Sequence, residues 1–111
     1  MLGRKYKIHK KKEVEAVFKN GRSSFDNILG VKNLPTDKNV IRFVIVVSGK
    51  VSKKAVVRNA LKRRLSELCR TNLSTLAPGN DFFILALPPS AKKTYQELGR
   101  SLSQHFKKLG V

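Results

Sequence analysis

The sequence predicts an α+β domain, and three observations carry that prediction. Segments with a helical apolar period alternate with short runs rich in β-branched and aromatic residues. Turn residues separate them, and the order is helix, strands, helix, strand, helix. A length of 111 residues fits one domain, residues 1–111, and 41% hydrophobic residues can build a thin core.

The elements follow in order. Glu13 to Lys19 is predicted as a short amphipathic helix, because Val14, Val17 and Phe18 fall at i, i+3 and i+4. Lys10-Lys11-Lys12 gives it a basic entry and Asn20-Gly21 a stop. Ser24-Phe25 and Ile28 to Leu34 read as two short strands or one bent strand. Leu34-Pro35-Thr36-Asp37-Lys38-Asn39 is a turn. Ile41 to Val47 is continuously apolar and β-branched, the pattern of a strand buried on both faces, and Ser48-Gly49 closes it. A long helix is predicted from Lys53 or Lys54 to Asn72.

Pro78-Gly79-Asn80 marks the next turn, and Phe82 to Leu87 is a strand stopped by Pro88-Pro89. Thr94-Tyr95-Gln96-Glu97 matches a capping box and starts the last helix. Its apolar stripe is Tyr95, Leu98, Leu102, Phe106 and Leu109. Val44, Val46, Phe82, Ile84, Leu102 and Phe106 are expected in the core, and His9 and His105 at the surface.

Charge dominates the chemistry. Lys and Arg number 24 against 7 acids, a formal net charge of +17. Such an excess repels itself in a compact state, so it implies a polyanionic partner. No apolar run approaches the roughly 20 residues of a membrane span, and the N-terminus lacks the apolar stretch of a secretory signal. Cys69 is alone, which precludes an intrachain disulfide and fits a reducing compartment. One Cys and two distant His residues lack zinc-site spacing. These features predict a cytoplasmic protein that binds nucleic acid and no membrane.

The long helix carries the charge. On a helical wheel Val57, Ala60, Leu61, Leu65 and Leu68 gather on one arc. Arg58, Asn59, Lys62, Arg63, Ser66 and Arg70 gather on the other, while Arg64 projects within the apolar arc. From Lys50 to Arg70 there are eight basic residues and one acid, Glu67. A solvated face normally mixes both signs, so this face is predicted to bind phosphates. Arg supplies forked donors for phosphate oxygens, and Asn59 can bond a base, ribose or phosphate. Basicity alone leaves RNA and DNA open.

Ala55-Val56-Val57-Arg58-Asn59 followed by Lys62-Arg63-Arg64-Leu65 resembles the Arg-rich helix of bacterial ribonuclease P proteins. Their pattern reads roughly K-x-G-N-A-V-x-R-N-R-x-K-R after a strand ending in V-S. The resemblance extends to Val14-x-x-Val17-Phe18-Lys19-x-Gly21, to Pro78-Gly79-Asn80-Asp81, and to Thr94-Tyr95-x-Glu97-Leu98. Ala60 replaces the second Arg of R-N-R, Lys53-Lys54 replaces Gly-Asn, and Val14 replaces an aromatic residue.

The resemblance implies an α-β-β-β-α-β-α fold like the second domain of ribosomal protein S5, with a left-handed βαβ crossover against the general rule. It implies that the basic helix faces the catalytic RNA through Lys50, Lys53, Lys54, Arg58, Asn59, Lys62 and Arg63. It also implies a cleft for the single-stranded 5′ leader of precursor tRNA, with Phe18, Lys19 and Phe25 as contacts. Hydrolysis would belong to the RNA subunit and its Mg2+, and the protein would carry no catalytic residue, no metal and no cofactor of its own. The expected assembly is a monomer in a 1:1 ribonucleoprotein.

Two other functions are alternatives. A protein-only nuclease needs converging carboxylates, yet Glu13, Glu15, Asp26, Asp37, Glu67, Asp81 and Glu97 are scattered. A ribosomal or general RNA-binding protein shares the charge without explaining the motif.

Overall fold

The computed structural model describes residues 2–111. After a 3₁₀ turn at Arg4–Tyr6 come α1 (Lys11–Asn20), β1 (Arg22–Phe25), β2 (Leu29–Pro35) and β3 (Ile41–Val46). Then follow α2 (Ala55–Thr71), β4 (Asn80–Ala86), a second 3₁₀ turn at Pro88–Lys92, and α3 (Tyr95–Leu109). The order is the α-β-β-β-α-β-α expected.

The four strands form one sheet in the order β1-β2-β4-β3. β1 and β2 are an antiparallel hairpin, β2 and β4 are antiparallel, and β3 runs parallel to β4. Asp26 closes the hairpin, its Oδ1 accepting the N–H groups of Ile28 (2.7 Å) and Leu29 (2.8 Å). Gly79 turns the chain into β4 at φ +81°, where a side chain would be strained. Its N–H donates to the Val40 carbonyl at 2.9 Å.

Strand alternation sorts the apolar residues into two layers. Leu29, Val31, Phe43, Ile45, Phe82 and Ile84 face α2 and α3, meeting Leu61, Leu65, Leu98, Leu102 and Phe106. Phe83 and Leu85 face the other way, with Leu34, Val44 and Val46, and are covered by Val14 and Val17 of α1 and by Ile8. Burying a side chain such as Val17 stabilises by roughly 1.5–3 kcal/mol. Thr94 accepts from the Glu97 N–H at 3.1 Å while Glu97 accepts from the Thr94 N–H at 3.0 Å, so the predicted capping box forms.

Four expectations are corrected. β4, not β3, is buried on both faces: β3 is an edge strand in which Phe43 and Ile45 are buried while Val44 and Val46 are only partly covered. α1 packs on β2 and β4, which leaves those valines at its margin. His105 is 1% exposed, with Nδ1 at 2.7 Å from Ser24 Oγ and Nε2 at 3.2 Å from Asp26 Oδ2. Ser66 is buried and Arg64 exposed, the reverse of their helical-wheel arcs. Tyr95 heads the α3 stripe but remains exposed.

Candidate nucleic-acid interfaces

The outer face of α2 presents Asn59, Lys62 and Arg63 to solvent. Lys54 occupies the N-cap position without a side-chain cap, and no acid lies in the first turn. The unsatisfied N–H groups and the helix dipole are therefore met only by more positive charge from Lys50, Lys53 and Lys54, all exposed. Positive charge at that end is unfavourable until a phosphate supplies the missing anion. Arg58 is the exception among these cations. It is half-buried, and its Nη1 donates to the Ser52 carbonyl at 2.9 Å, which holds the loop before α2. Val56 is 80% exposed amid these cations, an apolar side chain with no neighbour to cover it.

Phe18 on α1 and Phe25 on β1 lie on the opposite face of the sheet, and Lys19 is exposed on α1 next to Phe18 in sequence. Phe18 is 49% exposed and Phe25 48%, so neither is core. Phe18 leans on Phe83 with ring centroids 5.4 Å apart. Lys32 holds it from the sheet: its Nζ lies 4.1 Å from the Phe18 ring centroid and donates to the Phe18 carbonyl at 2.8 Å. Phe25 pairs across the hairpin with Gly30, and a Cβ there would stand 2.2 Å from Phe25 Cε2. Gly30 is thus the space in which the Phe25 ring lies.

In register, Ser23, Lys32, Phe83 and Val44 form one row across this face, and Phe25, Gly30, Leu85 and Val46 the next. α1 covers the first row at Phe83 and leaves the second half-open. This face of the sheet therefore carries two half-exposed aromatic rings, Phe18 and Phe25, with Lys32 against the Phe18 ring and Lys19 exposed on α1. Lys32 was not singled out from the sequence, although alternation with buried Val31 and Asn33 places it on this face.

α1 is fixed over the sheet by a charged network. Arg42 donates through Nε and Nη2 to Asp81 at 3.0 and 2.8 Å, and through Nη1 and Nη2 to Glu13 at 3.2 and 2.8 Å. Lys38 adds a 2.9 Å bond to Glu13. Those donors lower the Glu13 carboxyl to about 2. The Arg42 guanidinium is pushed up by the same two partners, Asp81 first. Burial drives the Cys69 thiol well above its usual range, which leaves it unreactive.

The two predicted contact groups lie on opposite faces, and the N-terminal segment joins them. It runs along the outer edge of β3, pairing Lys7 with Phe43 in parallel, and Ile8 N–H donates to the Phe43 carbonyl at 2.9 Å. Lys7 and His9 are exposed on it, beside Asn59, Lys62 and Arg63. Neither was expected to take part. Among the described residues no group of three or more His, Cys, Asp or Glu is placed to hold a metal. No helix among them is long and apolar enough to cross a membrane.

The Ribonuclease P family model matches residues 2–110. The ribonuclease P protein component of Exiguobacterium sibiricum is 39% identical over 111 residues, covering 99% of this chain and 95% of that protein. That of Clostridium kluyveri is 37% identical over 108 residues, covering 96% of each. A solved structure of the Staphylococcus aureus RNase P protein superposes with a TM-score of 0.83 at 26% identity, covering 92% of this chain and 93% of that one. With a family model spanning nearly every residue and relatives matched end to end, this chain belongs to the ribonuclease P protein family.

Proposed function

We propose that the chain divides its work between its two faces: α2 holds the catalytic RNA, and the cleft beside α1 holds the 5′ leader of precursor tRNA. As the protein subunit of ribonuclease P it serves the maturation of tRNA 5′ ends. Lys50, Lys53, Lys54, Arg58, Asn59, Lys62 and Arg63 are assigned to the RNA subunit, in a monomeric 1:1 ribonucleoprotein in the cytoplasm. Phe18, Lys19 and Phe25 are assigned to the leader, and Lys32 joins them. Hydrolysis is assigned to the RNA with its Mg2+.

One observation carries the reading. Phe18 and Phe25 stand half-exposed on a sheet face with a lysine held between ring and backbone. Rings for stacking beside cations for the backbone are what an unpaired strand requires, and stacking is worth about 1–3 kcal/mol per base. A double helix cannot offer its base faces to such a cleft.

The test is cleavage of precursor tRNA by a bacterial ribonuclease P RNA with and without the protein, together with binding of tRNA bearing or lacking the leader. The reading expects faster cleavage at low Mg2+ and a preference for the leader-bearing form. Stimulation without leader preference would reject the cleft assignment. No stimulation would leave a general RNA-binding protein.

A further inference from the structure

We propose that a cavity between α2, the edge of β3 and the N-terminal segment takes a single unpaired nucleotide extruded from the RNA that α2 holds. The inference rests on the assignment of α2 to RNA and adds a distinct site to it.

The cavity measures about 440 Å³, within the range of small-ligand sites and open on one side. Its inner wall is apolar, formed by Leu2, Ile8, Phe43 and Ile45. Its rim is polar and cationic: Asn59, Lys62 and Arg63 from α2, Lys7 and His9 from the N-terminal segment. This division matches one nucleotide, whose base seeks an apolar wall and whose phosphate seeks the cationic rim. An aliphatic ligand would gain nothing from the rim, and a bare phosphate nothing from the wall.

The edge of β3 adds hydrogen-bonding groups at the base. The Phe43 carbonyl faces outward to Ile8. Main-chain groups of a strand alternate in direction, so the N–H and C=O of Ile45 face the same outer side. The N-terminal segment bonds the strand edge at Phe43 and, among the described residues, makes no backbone hydrogen bond to Ile45. Asn59 and Ser66 bring side-chain donors and acceptors from the opposite wall. Ser66 is buried and small, so the site keeps its depth where a larger residue on α2 would fill it.

The experiment is an amide chemical-shift titration of the full chain with adenosine 5′-monophosphate, uridine 5′-monophosphate and, separately, inorganic phosphate. The expected result is saturable movement of the Ile45, Ser66 and His9 amides with the nucleotides and not with phosphate. Asn59→Trp, an exposed rim substitution that closes the mouth, should weaken that response by roughly tenfold while any response at Phe18 and Phe25 in the leader cleft survives. Equal movement with inorganic phosphate, no movement at Ile45 and Ser66, or an undiminished response in Asn59→Trp each overturns the proposal. Affinity of Lys62→Ala for a ribonuclease P RNA is measured in parallel. Unchanged affinity there rejects the assignment of α2, whereas weakened affinity with a silent cavity rejects the nucleotide site alone.

Discussion

Lys32 grips Phe18 twice, with its ammonium 4.1 Å from the ring centroid and 2.8 Å from the residue's own carbonyl oxygen. The ring is thus partly engaged by Phe83 and Lys32, and about half of the residue's surface remains exposed. Phe18→Ala should lose less stability than the roughly 3–5 kcal/mol of a fully buried Phe. It should weaken holoenzyme binding of leader-bearing precursor tRNA by about 1–3 kcal/mol and leave mature tRNA unaffected. Melting of the protein and paired tRNA affinities measure both. An unchanged leader preference in a folded mutant removes Phe18 from the site.

Gly30→Ala tests the other ring without touching it. The new Cβ would sit within 2.6 Å of three Phe25 ring atoms, so the ring must swing away from the sheet. Phe25 is half-exposed and has solvent to move into. We expect a folded protein with reduced leader affinity, close to that of Phe25→Ala. Retention of full affinity would mean that the ring's resting place on Gly30 is immaterial to the leader.

The cations of α2 should not behave alike. Lys62 is exposed and has no hydrogen-bond or ion-pair partner among the described residues, so Lys62→Ala should leave stability within about 0.5 kcal/mol of the parent. It should also lower the slope of log affinity against log salt by about 1 if the side chain meets a phosphate. Arg58→Ala should cost about 1 kcal/mol of stability as well, because its bond to the Ser52 carbonyl is lost. Denaturation curves and RNA binding at several salt concentrations distinguish the two.

What the sequence made legible was local. The Thr94–Glu97 capping box spans one helical turn and is readable from four letters. The cationic face of α2 follows from periodicity along one element. Sheet order is different, because which apolar run takes the centre depends on contacts between distant segments. Hence β3 was expected to carry the double-sided burial that β4 has. His105 meets Ser24 across 81 positions, so nothing near it announces its burial. Ser66 sits on the polar arc of its helix, yet it lines a wall formed with Leu2 and Ile8. The grip of Lys32 on Phe18 needs the β2 register, which fixes that lysine beside Phe83.

Activity should reside in the ribonucleoprotein. The seven acids are dispersed, and Asp81, Glu13 and Asp26 already serve structural partners: Arg42 for the first two, Ser101 and the β1–β2 turn for the third. Protein alone should leave precursor tRNA intact over a range of Mg2+. Robust cleavage by RNA-free protein, surviving removal of contaminating nucleases, would sink this assignment.

Arg42 links α1 to the sheet, and its loss should be the most damaging of these substitutions. Its side chain is 13% exposed, and the Asp81 carboxylate it covers is buried. Arg42→Ala would strand that carboxylate, which costs about 3–5 kcal/mol when one partner of a buried pair is removed. Glu13 gives the network a pH signature. Hydrogen bonds from Arg42 and Lys38 lower its carboxyl from 4.5 to about 2, so the native state holds its proton less tightly than the unfolded chain. The Glu13 contribution is therefore complete above about pH 4.5 and is lost as pH falls toward 2. Glu13→Gln should be less stable than the parent at neutral pH and converge on it toward pH 2. Denaturant unfolding of both proteins at stepwise lower pH measures this. Parallel curves, with a constant gap at every pH, would show that Glu13 acts through packing and not through its charge.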